Sequence, residues 1–183
     1  MATDHSDSFN AFAKEFEGES DRAAVILVCA KLDELLQLAL TRKLLPCPTA
    51  QDDFLRTDGP IGTFASRITL AHRLGLIDDN FSHTLHLIRK IRNEFAHVSA
   101  GTQLGSGPHA DRIRTLFLPF KKYYEARAKV IPSFQEMGKK GLRGQFEFAC
   151  YYCIMELDEI VDTTVPVKKP KSDFLDLANT DYF

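Results

Sequence analysis

The apolar residues of this chain recur every third or fourth position, the spacing of α-helices, and no stretch alternates with period two for long enough to form a sheet. The clearest stripe lies in segment 81–97. It consists of Phe81, Leu85, Ile88, Ile91 and Phe95. These side chains share one helix face, which we expect to be buried, and Asp78 or Asp79 is positioned to cap the helix.

Other segments show the same periodicity. The strongest begins at Ser20-Asp21 and ends at about Leu45, before Pro46, and its broad apolar stripe predicts the central helix of the fold. The remaining predicted helices are a short one over 8–17 with Phe9, Phe12 and Phe16, one that Thr63 caps and Gly75 ends, one after Pro108 that bends at Pro119, and a last helix over 145–163.

The segments between these helices are rich in turn-forming residues. We predict connections over 46–62 and 132–144, and a surface loop rich in Gly and Ser over 99–108 that could gate access to the polar end of the preceding helix. The expected architecture is an all-α bundle of about five or six helices. We assign it to residues 1–165, and residues 166–183 to a flexible C-terminal tail.

Composition narrows the functional classes. The 183 residues include 23 basic and 25 acidic side chains, a net charge of -2, which argues against a protein that holds nucleic acid by bulk charge alone. Four cysteines without regular disulfide spacing, and no apolar run long enough to span a bilayer, predict a cytoplasmic protein without a membrane partner. Cys150 and Cys153 lie in an apolar helical run, so we interpret them as buried thiols and expect no metal and no cofactor.

The candidate chemistry lies at the end of the 81–97 helix, in Arg92-Asn93-x-x-x-His97. A guanidinium, an amide and an imidazole are the groups that phosphodiester chemistry without a metal requires. One histidine cannot be both base and acid, so this hypothesis requires two copies across a two-fold axis. The structural alternative gives both residues a role in stability only. Protonated His97 would be stabilised by the helix dipole, and Arg92, at the border of the apolar stripe, would form an ion pair with a carboxylate.

A second polar cluster, Glu19-Ser20-Asp21-Arg22, opens the long helix. Asp21 suits the first turn of a helix and could also be the counter-ion of Arg92 if the two helices pack antiparallel. We therefore include Asp21, Glu19 and Arg22 as supporting residues of the candidate site.

Three stretches resemble the mannitol operon repressor family: E-S-D-R-A-A-V-I-L-V-C-A-K-L-D-E-L-L (19–36), G-P-I-G-T-F-A-S-R-I-T-L-A-H-R-L-G-L-I (59–77) and I-R-K-I-R-N-E-F-A-H (88–97). The resemblance implies an all-helical, cytoplasmic bacterial protein that controls sugar-alcohol uptake genes without a conventional DNA-reading module. The third stretch also resembles the R-[NDH]-x-x-x-H motif of the HEPN superfamily, helical dimers that include ribonuclease toxins. That motif implies catalytic roles for Arg92, Asn93 and His97.

Two functional hypotheses follow. In the first, the chain is a homodimeric repressor-like regulator of a mannitol-type operon that acts through a protein partner or weak DNA binding, without a helix-turn-helix. The alternative is a HEPN-type, metal-independent endoribonuclease of a toxin or phage-defence system, with RNA as the substrate of Arg92, Asn93 and His97.

Overall fold

The computed structural model describes residues 14, 15, 17–49, 52–97 and 102–169. Within this part of the chain there are seven α-helices, one 3-10 helix and no strand, so the predicted all-α class is confirmed. The helices are α1 (Asp21–Lys43), α2 (Phe64–Arg73), α3 (Asp79–His97), α4 (Pro108–Phe117), the 3-10 helix Leu118–Phe120, α5 (Lys121–Ala128), α6 (Pro132–Lys139) and α7 (Leu142–Thr163).

The long helix α1 is central, as predicted. Ser20 caps it by accepting a hydrogen bond from the Ala23 backbone N–H at 3.2 Å. It packs against α2, α3 and α7. Its buried side chains belong to Ala24, Val25, Val28, Cys29, Leu32, Leu35, Leu36, Ala39 and Leu40. Each fully buried leucine of this set stabilises the folded state by about 1.5–3 kcal/mol relative to an exposed leucine.

The helices α2 and α3 begin and end as their sequences predict. The Thr63 and Ser66 side chains form a reciprocal capping box, and α2 stops before Gly75, whose φ is 68°. Asp78 caps α3 by accepting from the Phe81 N–H at 2.7 Å. On α3 the buried side chains are Leu85, Ile88, Ile91 and Phe95, four of the five predicted.

The predicted connection over 132–144 is wrong, because most of it is helical. Pro132 is the first residue of α6, a position where the missing N–H has no intrahelical acceptor in any case, and the preceding Ile131 is extended. The last helix then begins at Leu142 rather than at residue 145. The bend predicted at Pro119 corresponds to the 3-10 helix between α4 and α5.

A second, aromatic core forms where α4, α5 and α6 meet α7. Phe148 is completely buried at its centre, and the rings of Phe117, Tyr124 and Phe134 lie edge-on to it at 5.0–6.0 Å. The α6 backbone approaches α7 so closely that a Cβ on Gly144 would lie 2.0 Å from the Met137 carbonyl oxygen. Glycine is therefore required there.

Three predictions concern segments that are described only in part. The predicted helix over 8–17, with Phe9, Phe12 and Phe16, lies almost entirely outside the described residues, as does most of the tail over 166–183. Of that tail, the Val167 N–H donates to the Lys43 carbonyl at 2.8 Å. In the loop after α3, Leu104 is fully buried, which corrects the expectation of a purely surface loop. No described helix is long and apolar enough to span a bilayer.

A buried carboxylate ties the start of α7 to the start of α1. Glu147 is 1% exposed and accepts from Lys140 at 3.0 Å and from Arg143 at 2.5 Å. Arg143 also donates to Asp21 at 2.7 Å, and the other Asp21 oxygen accepts from the Leu104 N–H at 2.7 Å. This network fastens the loop before α4 to both long helices.

We predict that Glu147→Gln destabilises the fold by about 3 kcal/mol, because it leaves two cations facing a buried neutral group. The measurement is the free energy of unfolding in urea. Glu136→Gln is the matched control, since Glu136 pairs with Lys139 on the surface with 68% of its side chain exposed, and it should change stability by no more than about 0.5 kcal/mol. Equal effects of the two changes would contradict the structural role given to Glu147.

Candidate functional site

The helices α1, α2 and α3 enclose a cleft of about 570 Å³. One wall comes from the second half of α3, the other from the residues that begin α2, and the floor from the first half of α1. The lining residues are Ile26, Cys29, Ala30, Asp33, Gly62, Thr63, Phe64, Ala65, Arg89, Arg92 and Asn93. Two of the three predicted site residues therefore share this cleft.

Arg92 and Asn93 lie together at the solvent-exposed side of the cleft. The Arg92 Nη1 donates to Asn93 Oδ1 at 3.3 Å, and Arg92 is exposed. In the described part of the chain, Arg92 forms no ion pair with a carboxylate, and its acceptor is instead the side-chain carbonyl of Asn93. The reason is that position 92 faces the open cleft rather than a neighbouring helix.

The proposed counter-ion, Asp21, serves another arginine. Asp21 pairs with Arg143 at the N-terminal end of α1, more than one turn before the part of α1 that lines the cleft. Glu19 is exposed and its backbone carbonyl lies 3.4 Å from Arg143 Nη1. Arg22 is half-buried in the first turn of α1. Asp21 and Glu19 therefore contact the start of α7 rather than Arg92.

His97 is the last residue of α3 and is exposed, but it is not among the residues that line the cleft. Residues five apart on a helix are separated by about 140° around the axis, so Arg92 and His97 point to different sides. The structure brings Arg92 and Asn93 together within one chain and leaves His97 apart from them.

The residue between these groups, Glu94, belongs to a separate polar cluster that sequence analysis missed. Its carboxylate pairs with Arg112 and lies 3.8 Å from Nδ1 of the buried His109. The other ring nitrogen of His109 contacts the Gln103 carbonyl, and its ring lies 5.1 Å from that of Phe95. Glu94 thus fixes α3 against α4.

Arg67 and Asp33 form the structural support of the cleft, and sequence analysis also missed this pair. Arg67 is 5% exposed and lies 2.8 Å from Asp33. It donates hydrogen bonds to the carbonyls of Leu55 and Ile61, at 3.0 and 3.2 Å. A buried arginine that donates to two backbone carbonyls and forms an ion pair with one carboxylate holds the 52–62 connection against α1.

Arg89 is the cleft-lining residue that sequence reasoning had least reason to select. It precedes Arg92 by three positions, which places both side chains on neighbouring positions of the α3 surface. Its Nε is buried and has no hydrogen-bond partner in the described part of the chain. Burial lowers the pKa of the nearby His86, and the charges of Arg89 and Lys90 lower it further. The sequence signal that could have identified Arg89 is its position one helical turn before Arg92, which places a second arginine beside the first.

Cys29 forms part of the cleft floor. Burial raises the pKa of its thiol to about 12, an effect that the charge of Arg92 opposes and that of Asp33 reinforces. Burial also raises the pKa of Cys150 and of Cys153, as expected for packing thiols. No group of three or more potential metal ligands occurs among the described residues.

Comparisons with known proteins give one informative similarity. No protein-family model matches the chain, and no curated protein matches its sequence. A chain in the X-ray structure of the MtlR-HPr complex from Escherichia coli has a similar fold, with a TM-score of 0.58 and 15% sequence identity. The match covers 82% of this chain and 98% of that chain. The fold is therefore similar to that of a mannitol operon repressor.

We predict that at pH 8 only one of the four thiols, Cys47, reacts quickly with DTNB, because it is exposed and the other three are buried. At a pKa of about 12, only about one Cys29 side chain in ten thousand is a thiolate at this pH, and thiolates are the reactive species. All four thiols should react in urea. The Cys47→Ser variant should show no fast phase, and a remaining fast thiol would indicate that the cleft floor opens in solution.

Proposed function

We propose that this chain is a non-catalytic, repressor-like regulator of a mannitol-type sugar-alcohol operon, and that it acts by binding a partner protein. The observation that carries this proposal is the similarity of fold to a mannitol operon repressor whose structure was solved in complex with HPr, over 98% of that chain. The net charge of -2 favours a protein partner over a DNA duplex held by its phosphates.

The exposed side of α1 is the surface we assign to the partner. Leu27 and Leu38 are 48% and 42% exposed, and they lie three turns apart on nearly the same side of the helix. Lys31 and Glu34 lie between them and pair at 3.3 Å. Exposed leucines flanking polar residues on a helix provide apolar contacts and hydrogen bonds to a protein partner.

The test is calorimetric titration of the chain with HPr. We expect the double variant Leu27→Lys/Leu38→Lys to bind about tenfold or more weakly, because two exposed apolar contacts, about 1.4 kcal/mol or more, are replaced by charges. Val130→Lys is the control, since Val130 is 72% exposed in the connection between α5 and α6. Absence of binding by the unmodified chain would contradict the proposed partner. An equal loss of affinity for HPr in the double variant and in the control would contradict the proposed surface.

A second candidate function is a metal-independent endoribonuclease, favoured by the accessibility of Arg92 and His97 on α3. His97 of one copy would take the proton of a ribose 2′-hydroxyl as the 2′-oxygen bonds to phosphorus, while Arg92 and Asn93 of the second copy stabilise the charge on the phosphoryl oxygens. The bond to the 5′-oxygen then breaks, and the protonated His97 of a second copy supplies the proton that this oxygen needs. A homodimer is therefore part of this candidate function.

For this second candidate, we expect single-stranded RNA incubated in EDTA to be cleaved to 2′,3′-cyclic phosphate and 5′-hydroxyl ends. His97→Ala should reduce the rate by about a hundredfold or more, as expected for loss of a general base. His83→Ala is the matched control, because His83 is also exposed on α3 but lies near the opposite end of this helix from His97. RNA that stays intact with the unmodified chain would eliminate the ribonuclease.

A further inference from the structure

Two arginines of α3 lack the carboxylate partner that most other arginines of the described chain have. Six of the others lie within 4.0 Å of a carboxylate: Arg42, Arg56, Arg67, Arg112, Arg114 and Arg143. Arg89 and Arg92 have no such contact in the described part of the chain, although both line the same cleft. A guanidinium cannot lose its charge by deprotonation, so two adjacent ones without counter-ions favour an anionic ligand.

The charge balance of the cleft is positive. Asp33 is the one carboxylate among the described residues that line it, and Asp33 is paired with the buried Arg67 at 2.8 Å. The charges of Arg89 and Arg92 therefore remain uncompensated. An anion with two negative charges would balance them.

The hydrogen-bond donors of the cleft suit a group with several acceptor oxygens. Arg89 has a buried Nε without an acceptor, and Arg92 uses one of its five N–H groups on Asn93. On the opposite wall, the capping box of Thr63 and Ser66 satisfies the Ser66 N–H but leaves those of Phe64 and Ala65 without an acceptor in the described chain. Such first-turn N–H groups add to the binding of an anion that the arginines attract.

We propose that this cleft binds the phosphate group of a small phosphate monoester. The dianion matches the two guanidinium charges, and its oxygens can accept from both walls, which the two oxygens of a carboxylate cannot do as fully. Ile26, 40% exposed, and the half-buried Phe64 provide apolar surface for the organic part. A volume of about 570 Å³ is within the usual range for small-molecule sites. The site requires neither HPr nor a second copy of the chain.

The experiment is calorimetric titration with inorganic phosphate and with glycerol 3-phosphate, in a buffer free of other multivalent anions. We expect both to bind, and glycerol alone not to bind. Arg89→Ala and Arg92→Ala should each weaken binding by about tenfold or more, because each removes one charge and its donors. Arg73→Ala is the matched control: Arg73 is exposed in the last turn of α2, outside the cleft, and its removal changes the net charge equally.

Two more comparisons keep the test decisive. If an alanine variant fails to fold, Arg89→Lys and Arg92→Lys retain the charge, and each should weaken binding by loss of the planar donor pair. A competing single-stranded RNA distinguishes a monoester site from one that takes the phosphates of a nucleic acid. Three outcomes would each overturn the proposal. They are no binding of either probe at about 10 mM, an equal loss of affinity in Arg73→Ala, and RNA that binds tighter than glycerol 3-phosphate and displaces it. None of these outcomes depends on HPr binding or RNA cleavage.

Discussion

The fold depends on the burial of α1. Because α2, α3 and α7 all pack against it, α1 buries the face that carries its leucines, while the opposite face, which includes Leu27 and Leu38, is exposed to solvent. The same packing creates the cleft, since α2 and α3 lean on neighbouring parts of α1 and leave a space between them over Cys29 and Asp33. The candidate site is thus a consequence of how three helices share one surface.

The parts of the fold that follow from local rules were predicted correctly. The stripes of α1 and α3, the caps at Ser20, Thr63 and Asp78, and the stop at Gly75 each depend on residues within one or two turns. The helix α6 was missed because Pro132 and Gly138 are typical of connections. Its stability comes from tertiary packing of Phe134 and Met137 into the aromatic core, which a local pattern does not contain.

The candidate site was only partly predictable for the same reason. The sequence identified Arg92 and Asn93, which do line a cleft together, but it offered Asp21 as a conditional counter-ion of Arg92, whereas Asp21 pairs with Arg143, 122 positions away. Arg89 was missed, since an arginine on an amphipathic helix usually belongs to a solvated face. The packing of helices that are distant in sequence decides which charged groups form ion pairs.

The four residues Arg92, Asn93, Glu94 and Phe95 of α3 point into three different surroundings. Arg92 and Asn93 face the cleft, Glu94 contacts Arg112 of α4, and Phe95 is completely buried. A turn of α3 about its own axis would therefore have to break the Glu94 ion pair and displace Phe95 before it could redirect Arg92. Contacts on the side of α3 away from the cleft therefore fix the rotation of this helix about its axis, and with it the face on which the Arg92 and Asn93 side chains leave the backbone.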